Sequence, residues 1–257
     1  MPRFFVGADQ IEDGVVIIKG DDAHHISRSL RMAAGETITV CDMQKNEYEC
    51  ELTDFLSDHV RARILSTRVC DVEPPYYACV FQALPKGDKL DSIIQKAVEC
   101  GASELVPFES ERCVVRVKHD AEEKKTERRL RIALEAAKQC GRGVLPKVSP
   151  SVSFEKAVEN ASKAELALFC YEGDDTVPLP DALQKWKAER ELHPEEYPRI
   201  SLMIGSEGGF SIKEKEIAVA NGMIPIGLGK RILRTETAAS FVLACLAYEL
   251  ELSENRK

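Results

Sequence analysis

The sequence predicts an α/β protein of two domains, a small N-terminal β-barrel and a larger C-terminal domain built on a parallel sheet. Residues 1–72 contain short stretches in which hydrophobic and polar residues alternate. Beyond residue 73, nearly continuous apolar strands alternate with amphipathic helices, as in sheets covered on both faces. Between the two patterns, the stretch CDVEPP at 70–75 holds a Pro-Pro pair with acidic residues. We therefore expect domains at 1–72 and 73–257.

The first domain should consist of short strands around one helix. Asp21 or Asp22 can cap a helix that continues through Met32, and the Ala34-Gly35 pair turns the chain into the next strand. The alternating segments predict strands at 15–19, 37–41, 48–53 and 59–65.

The second domain should alternate strands and helices, and its pattern alone favours an ordinary doubly wound sheet. Gly101 is a helix stop, and the acidic, proline-containing stretch 172–198 indicates a loop and an exposed helix. The predicted strands are 77–83, 104–108, 166–170, 200–204 and 224–228. The predicted helices are 89–100, 121–140, 153–161, 212–220 and 236–252.

Composition argues against a secreted, membrane or metal-binding protein. No apolar run approaches the roughly 20 residues of a membrane span, and the N-terminus has no apolar signal core. The nine cysteines are an odd number without a C-x-x-C pair, which indicates free thiols in a reducing compartment. We expect a cytoplasmic protein with no membrane contact and no metal.

The net charge of −8 disfavours nucleic acid as a partner, but the charge is unevenly distributed. Residues 111–149 carry eleven Lys or Arg against six Asp or Glu. This basic block could be a binding face. Taken alone, however, the block is better explained as a solvated helix at 122–139 that is stabilised by charge pairs four residues apart.

The stretch MIGSEGGFSIKE at 203–214 joins an apolar strand to a helix through a glycine loop. Ser211 and Glu214 have the spacing of a capping box, so the helix should begin just after Phe210. Gly205, Gly208 and Gly209 would let a ligand approach the main chain at the carboxyl end of a strand. A plain tight turn is the alternative.

Known nucleotide motifs do not fit this loop. The chain has no G-x-x-x-x-G-K-[ST] and no G-x-G-x-x-G, and Ser206 lacks the preceding glycine of a hydrolase nucleophile elbow. The loop is therefore better suited to hold a cofactor by its main chain than to bind a triphosphate.

A second loop, LGKRILRTETAA at 228–239, combines cations with apolar residues. Lys230, Arg231 and Arg234 could contact an anion, while Ile232 and Leu233 could line an apolar pocket. Thr235 is expected to cap the last helix. A surface loop with its two apolar side chains in the core is the alternative.

Together, the two loops resemble the bacterial 16S rRNA uridine-N3 methyltransferase family of the SPOUT class, which modifies uridine 1498. The family shows IG-x-EGGFS and LG-x-RILRTETA, found here at 204–211 and 228–238, although it typically has Pro where Ser206 stands and often where Lys230 stands. Further matches occur along the chain: DAHH at 22–25, LR at 30–31, Gly35, KGDKLD at 86–91, IQKA at 94–97, Glu99, Gly101, SER at 110–112, EAAKQ at 135–139, Arg142 and Pro146.

The resemblance implies an N-terminal PUA-like RNA-binding barrel and a SPOUT domain with a deep trefoil knot that binds S-adenosylmethionine. It also implies a homodimer, and the apolar last helix could supply contact surface. The substrate would be 16S rRNA within the small ribosomal subunit. Rival functions are a SPOUT methyltransferase acting on tRNA or on another rRNA nucleotide, and a catalytically silent RNA-binding assembly factor.

The resemblance further suggests roles for individual residues. Arg234 is the first candidate for catalysis, and Glu207 would act either as a base or as a loop anchor. Cofactor contacts are expected from Phe169, Cys170, Gly205, Glu207, Gly208, Gly209, Leu228, Gly229, Ile232, Leu233, Thr235 and Ala238. RNA contacts are expected from Arg28, Arg31, Arg112, Arg116 and Arg142.

Overall fold

The computed structural model of the chain describes residues 1–117, 119–190 and 197–253. It contains two compact units. The first comprises Met1–Glu73 together with Ala137–Leu145, and the second comprises Pro74–Ala136 and the chain from Pro146 onward. The end of the predicted basic block thus belongs to the first unit.

The first unit contains a six-stranded sheet. Its elements are β1 (Arg3–Phe5), β2 (Ile11–Glu12), β3 (Val15–Lys19), α1 (Gly20–His24), β4 (Thr37–Cys41), β5 (Asn46–Phe55) and β6 (His59–Val69). The strand order is β1-β4-β5-β6-β3-β2, and only the β1–β4 pair is parallel. The core side chains include Phe4, Val16, Ile18, Ile38 and Leu52.

The helix of this unit differs from the prediction at both ends. Lys19, rather than Asp21 or Asp22, is the N-cap residue. Both aspartates lie within the first turn, where carboxylates interact favourably with the positive end of the helix dipole. After a π-helical turn, His25–Ser29, the chain leaves the helix, and Arg31 adopts a left-handed conformation with φ of 53°. The helix therefore ends before Met32.

The second unit is an α/β fold, as predicted. Its strands are β7 (Tyr77–Ala83), β8 (Glu104–Glu109), β9 (Lys147–Val148), β10 (Val152–Ser153), β11 (Leu166–Cys170), β12 (Val177–Pro178), β13 (Arg199–Ile204) and β14 (Ile224–Gly227). Its helices are α2 (Lys89–Glu99), α3 (His119–Cys140, which continues into the first unit), α4 (Phe154–Ala161), α5 (Leu179–Arg190), α6 (Ile212–Ala220) and α7 (Thr235–Ala247).

All strand pairs described in this sheet are parallel, which confirms the predicted parallel sheet. The order is β10-β8-β7-β13-β11-β14-β12, with β9 also paired to β8. The late strand β13 therefore lies between β7 and β11. Because the strands run in one direction, their carboxyl ends lie along the same edge of the sheet, which includes Gln82, Cys170, Ile204 and Ile226.

Two predictions in the second unit are wrong. Arg234 rather than Thr235 is the N-cap of α7, because Thr235 has already entered the helix and its hydroxyl bonds elsewhere. The helix within 172–198 is not simply exposed, since Leu179, Leu183 and Trp186 of α5 are buried. Residues 191–196 of that stretch lie outside the described residues. None of the described helices is long and apolar enough to cross a membrane.

Candidate functional site

A cleft of about 470 Å³ opens at the carboxyl ends of β11, β13 and β14. Its walls are the segments that follow those three strands, together with Lys89 from the start of α2. Ligands of parallel α/β sheets bind at this edge, where the connecting segments diverge. The cleft therefore has the position and the size of a small-molecule site.

The first wall is the glycine loop, which forms a tight turn after β13. The N–H of Gly209 donates to the Ser206 carbonyl at 2.9 Å, and Gly209 has φ of +62°. A Cβ on Gly205 would lie 3.2 Å from main-chain atoms of Gly209. The turn itself thus favours glycine at 205 and 209, and the main chain of both residues is left accessible at the cleft.

The predicted capping box fixes the exit of this loop. The Ser211 hydroxyl accepts from the Glu214 N–H at 3.3 Å, and the Glu214 carboxylate accepts from the Ser211 N–H at 2.8 Å. The Phe210 ring packs against Phe169, with ring centroids 4.3 Å apart. Phe169 is fully buried and does not line the cleft, so it supports the loop from below.

The second wall is the loop after β14. Gly229 has φ of +93°, and the N–H groups of residues 229–233 donate no hydrogen bond to the described main chain or side chains. Main-chain donors without a protein partner bind water or a ligand. This wall therefore offers hydrogen-bond donors to a ligand.

A buried hydroxyl joins the two walls. Thr235 Oγ1 donates to the Gly205 carbonyl at 2.6 Å and accepts from the Gln82 amide at 2.9 Å. Gln82 is the last residue but one of β7, the neighbour of β13, and is completely buried. The cleft floor is thus held by groups from three segments.

Glu207 is held by hydrogen bonds at the mouth of the cleft. Its carboxylate accepts from the Lys86 N–H at 3.2 Å and from Lys89 Nζ at 2.7 Å. Partial burial, which alone would raise its pKa, is outweighed by these bonds, and the pKa of Glu207 is lowered. A carboxylate of lowered pKa is a weak base, so the contacts favour the anchoring role.

Arg234 directs its charge outward. Its side chain is 83% exposed, and its nearest ion-pair contact is Glu236 at 3.9 Å. Ile232 is equally exposed although it lines the cleft, and Lys230 and Arg231 are exposed beside it. This rim can contact a large anionic partner.

Burial raises the pKa of the Cys170 thiol to about 12. The thiol therefore stays protonated near neutral pH and is not a nucleophile. Cys170 contributes shape to the cleft wall rather than chemistry.

The cleft brings together most of the predicted cofactor residues. These are Cys170, Gly205, Glu207, Gly209, Leu228, Gly229, Ile232, Leu233, Thr235 and Ala238, with Arg234 on the same lining. Phe169 and Gly208 are not on it. Gly208 instead accepts a hydrogen bond from Arg112 Nη1 at 2.9 Å through its carbonyl.

The five predicted RNA-binding arginines have different environments. Arg28 and Arg31 are exposed in the first unit. Arg116, in the second unit, is exposed but donates to the carbonyls of Ser110 and Glu111 at 3.2 Å. The structure disfavours Arg142 as an RNA contact, because its side chain is 5% exposed and forms an ion pair with Glu73 at 2.8 Å.

Several lining residues were absent from the prediction. Tyr171, Glu172 and Thr176 follow β11 directly, so the rule that sites gather at carboxyl ends of parallel strands could have found them. Lys89 follows β7 at the same edge of the sheet and lies in the KGDKLD match at 86–91, but no local pattern links it to Glu207, 118 residues later. No group of three or more metal-binding side chains that could hold a metal ion occurs in the described part of the chain.

Two protein families match the sequence. The RNA methyltransferase domain family matches residues 72–247, and the RNA methyltransferase PUA domain family matches residues 18–65. The two matches cover the glycine loops and part of the first unit, respectively.

Relatives and solved structures cover nearly the whole chain. The ribosomal RNA small subunit methyltransferase E of Bacillus subtilis (strain 168) is 32% identical over 98% of both chains. The structure of that enzyme from Neisseria gonorrhoeae bound to S-adenosyl methionine is 30% identical, with a TM-score of 0.81 over 97% of this chain and 98% of that one. A putative methyltransferase from Legionella pneumophila in complex with the same cofactor is 28% identical, with a TM-score of 0.81 over 96% and 97%.

Proposed function

Because this chain belongs to the ribosomal RNA small subunit methyltransferase E family of RNA methyltransferases, we propose that it methylates N3 of one uridine of 16S rRNA, at position 1498, within the small ribosomal subunit. The methyl donor is S-adenosylmethionine. The observation that carries this proposal is the cleft at the strand ends, walled by two glycine loops, the second of which offers main-chain N–H groups that have no described protein partner.

The cleft fits this cofactor in chemistry as well as in size. The free N–H groups of 229–233 can bind the acceptor atoms of an adenine or a carboxylate, while Leu228, Leu233 and Ala238 provide apolar surface. Gly205, Gly209 and Gly229 let the cofactor approach the main chain closely. When bound, S-adenosylmethionine supplies an electrophilic methyl group on its sulfonium.

The residues of the chain act mainly by alignment. Uracil N3 is a weak nucleophile until it loses its proton, and it must approach the methyl group in line. Correct orientation contributes as much as about 7–11 kcal/mol in well-ordered systems, more than a general base does. The Gln82–Thr235–Gly205 contacts fix the cleft floor for this purpose.

Arg234 and Glu207 have different roles in this proposal. The exposed guanidinium of Arg234 contacts the rRNA, at a phosphate or at the uracil oxygen that gains charge as N3 is deprotonated. Glu207 anchors the first loop, since its oxygens are occupied by Lys86 and Lys89. The N3 proton then passes to solvent water.

The RNA contacts come from both units. Arg28 and Arg31 of the first unit, proposed here as a PUA-like RNA-binding barrel, are exposed and available to phosphates. In the second unit, Arg112 contacts the first loop at the Gly208 carbonyl, and Arg116 lies near the start of α6, which follows that loop. A preshaped ribosomal subunit lets these few contacts select one nucleotide by shape.

We also propose that the second unit contains the deep trefoil knot of the SPOUT class and that the protein works in the cytoplasm as a homodimer. The insertion of β13 between β7 and β11 and the packing of α7 against α2 support the knot. Ala244 and Tyr248, exposed at the end of α7, offer dimer contact surface.

The decisive experiment incubates the full chain and labelled S-adenosylmethionine with small subunits from cells that lack the modification. Mass spectrometry of the rRNA should then find one N3-methyluridine. Methylation of tRNA or of another rRNA nucleotide would assign a different substrate. Cofactor binding and RNA binding without any methylated product would instead indicate an assembly factor.

A further inference from the structure

One lysine contacts both loops of the cleft. Lys89 Nζ lies 2.7 Å from Glu207 Oε1 in the first loop and 3.6 Å from Glu236 Oε2 in the first turn of α7. Lys89 is also the only residue of α2 on the cleft lining within the described part of the chain. It therefore connects three segments that are far apart in sequence.

The position of Lys89 is unfavourable for the helix that carries it. It is the first residue of α2, where the positive end of the helix dipole disfavours a cation. Two carboxylates compensate for this cost. A residue type that is unfavourable at its position in a helix often marks a functional constraint.

The two carboxylates depend on Lys89 for compensation. Glu236 Oε2 is buried and has no hydrogen-bond partner among the described residues, so Lys89 and, more distantly, Arg234 are the charges that offset it. Without the lysine, two like charges would face each other across the junction of the loops. Repulsion would then favour a wider separation.

From these contacts we infer that Lys89 is a positioning residue for methyl transfer: by bridging Glu207 and Glu236, it holds the two loops at the separation in which the cofactor fits. The inference rests on the proposed function. It assigns Lys89 an effect on cofactor binding that acts through the two loops.

The test compares Lys89→Met, Lys89→Arg and the control Lys96→Met, an exposed lysine on the same helix. Calorimetry measures the Kd of S-adenosylhomocysteine, and single-turnover and steady-state assays on undermodified small subunits give kcat and the KM for S-adenosylmethionine. Lys89→Met should raise Kd and KM at least about tenfold and change kcat much less. Lys89→Arg should recover most of the affinity, and Lys96→Met should match the wild type.

A double variant separates charge from packing. Adding Glu236→Gln to Lys89→Met removes one of the two facing carboxylates, so cofactor affinity should partly return. Wild-type Kd and KM in folded Lys89→Met, or loss of kcat alone, would overturn the inference while the proposed function stands. A wild type that neither binds the cofactor nor methylates rRNA would overturn both. If Lys89→Met does not fold, Glu236→Gln is measured alone, and an unchanged Kd for S-adenosylhomocysteine in that variant would overturn the inference.

Discussion

The hydroxyl of Thr235 donates a 2.6 Å hydrogen bond to the main-chain carbonyl of Gly205. This bond crosses between the start of α7 and the glycine loop after β13, and Gln82 completes it from β7. The two motifs that identify the family are thus physically one structure. The two motifs are separated in sequence but meet at Thr235, which is only 5% exposed.

Replacing Thr235 with Val should destabilise the cleft. The isosteric methyl leaves the Gly205 carbonyl and the Gln82 amide without this partner, at a cost of about 1–3 kcal/mol in the free energy of unfolding. Thr235→Ser keeps the hydroxyl and should lose much less. Urea denaturation checks both, with Thr237→Val as the control because Thr237 is exposed on the same helix. Equal stabilities of the Val and Ser variants would contradict the assigned role.

Replacing Gly209 with Ala should weaken cofactor binding as well as stability. A Cβ at Gly209 would lie 2.6 Å from Glu172 Oε1, so this exposed side chain on the cleft wall would have to move aside, and φ is +62°. Gly222→Ala is the matched control, since its φ of +87° imposes backbone strain but nothing lies within 4 Å of the new Cβ. Both variants should lose about 1–2 kcal/mol of stability. Only Gly209→Ala should raise the Kd of S-adenosylhomocysteine, by about tenfold; equal affinities would argue that the first loop does not hold the cofactor.

Sequence patterns predicted the local features well. The capping box at Ser211 and Glu214 and the bounds of β7, β11 and α6 all depend on residues within a few positions of one another. Alternation, apolar runs and cap spacing report such short-range preferences. The approximate site could also be predicted, because both glycine loops follow strands of a parallel sheet.

Long-range pairings could not be predicted from the same patterns. Thr235 was expected to cap its own helix, yet its hydroxyl bonds Gly205, 30 residues earlier. Arg142 was expected on RNA, yet it is buried against Glu73, 69 residues away. In each case a tertiary partner satisfied a side chain whose local context suggested another use.

Substitution by Met should lower stability at Arg142 but weaken only RNA binding at Arg28. The Arg142–Glu73 pair is buried, and removing one partner leaves an uncompensated charge that costs about 3–5 kcal/mol of stability. Arg28 is exposed, so its loss should leave thermal stability unchanged and reduce the salt dependence of rRNA binding by about one unit of slope. Calorimetric melting and binding titrations in increasing salt measure the two effects. A stable Arg142→Met with weakened RNA binding would restore the original prediction.

Protonation of Glu47 should contribute to the fall in the free energy of unfolding at acid pH. Burial alone would raise its pKa, but hydrogen bonds and charge from Arg68 and Arg3 outweigh it, so the folded-state pKa lies below the usual value. Its contribution is therefore present above the unfolded pKa of about 4.3 and is lost as pH falls through the lower folded value. Urea denaturation between pH 3 and 7 should show a shallower acid loss for Glu47→Gln than for the wild type. Glu49→Gln, exposed on the same strand, is the control, and identical acid profiles for wild type and Glu47→Gln would contradict the assignment.

Replacing Arg234 with Ala should strongly reduce the rate of methylation while S-adenosylmethionine still binds. The side chain is 83% exposed and contributes no cap hydrogen bond, and the main-chain carbonyl that receives the Ala238 N–H is unchanged, so the fold and the cleft should persist. Loss of a group that contacts developing charge reduces kcat by about 10² to 10³. Single-turnover methylation of undermodified small subunits measures this, with calorimetry for the cofactor and Lys185→Ala, an exposed cation on α5, as the control. The affinity for the cofactor should be unchanged. A loss of cofactor affinity in parallel with the rate would assign Arg234 to cofactor binding, and a normal methylation rate would remove Arg234 from the mechanism.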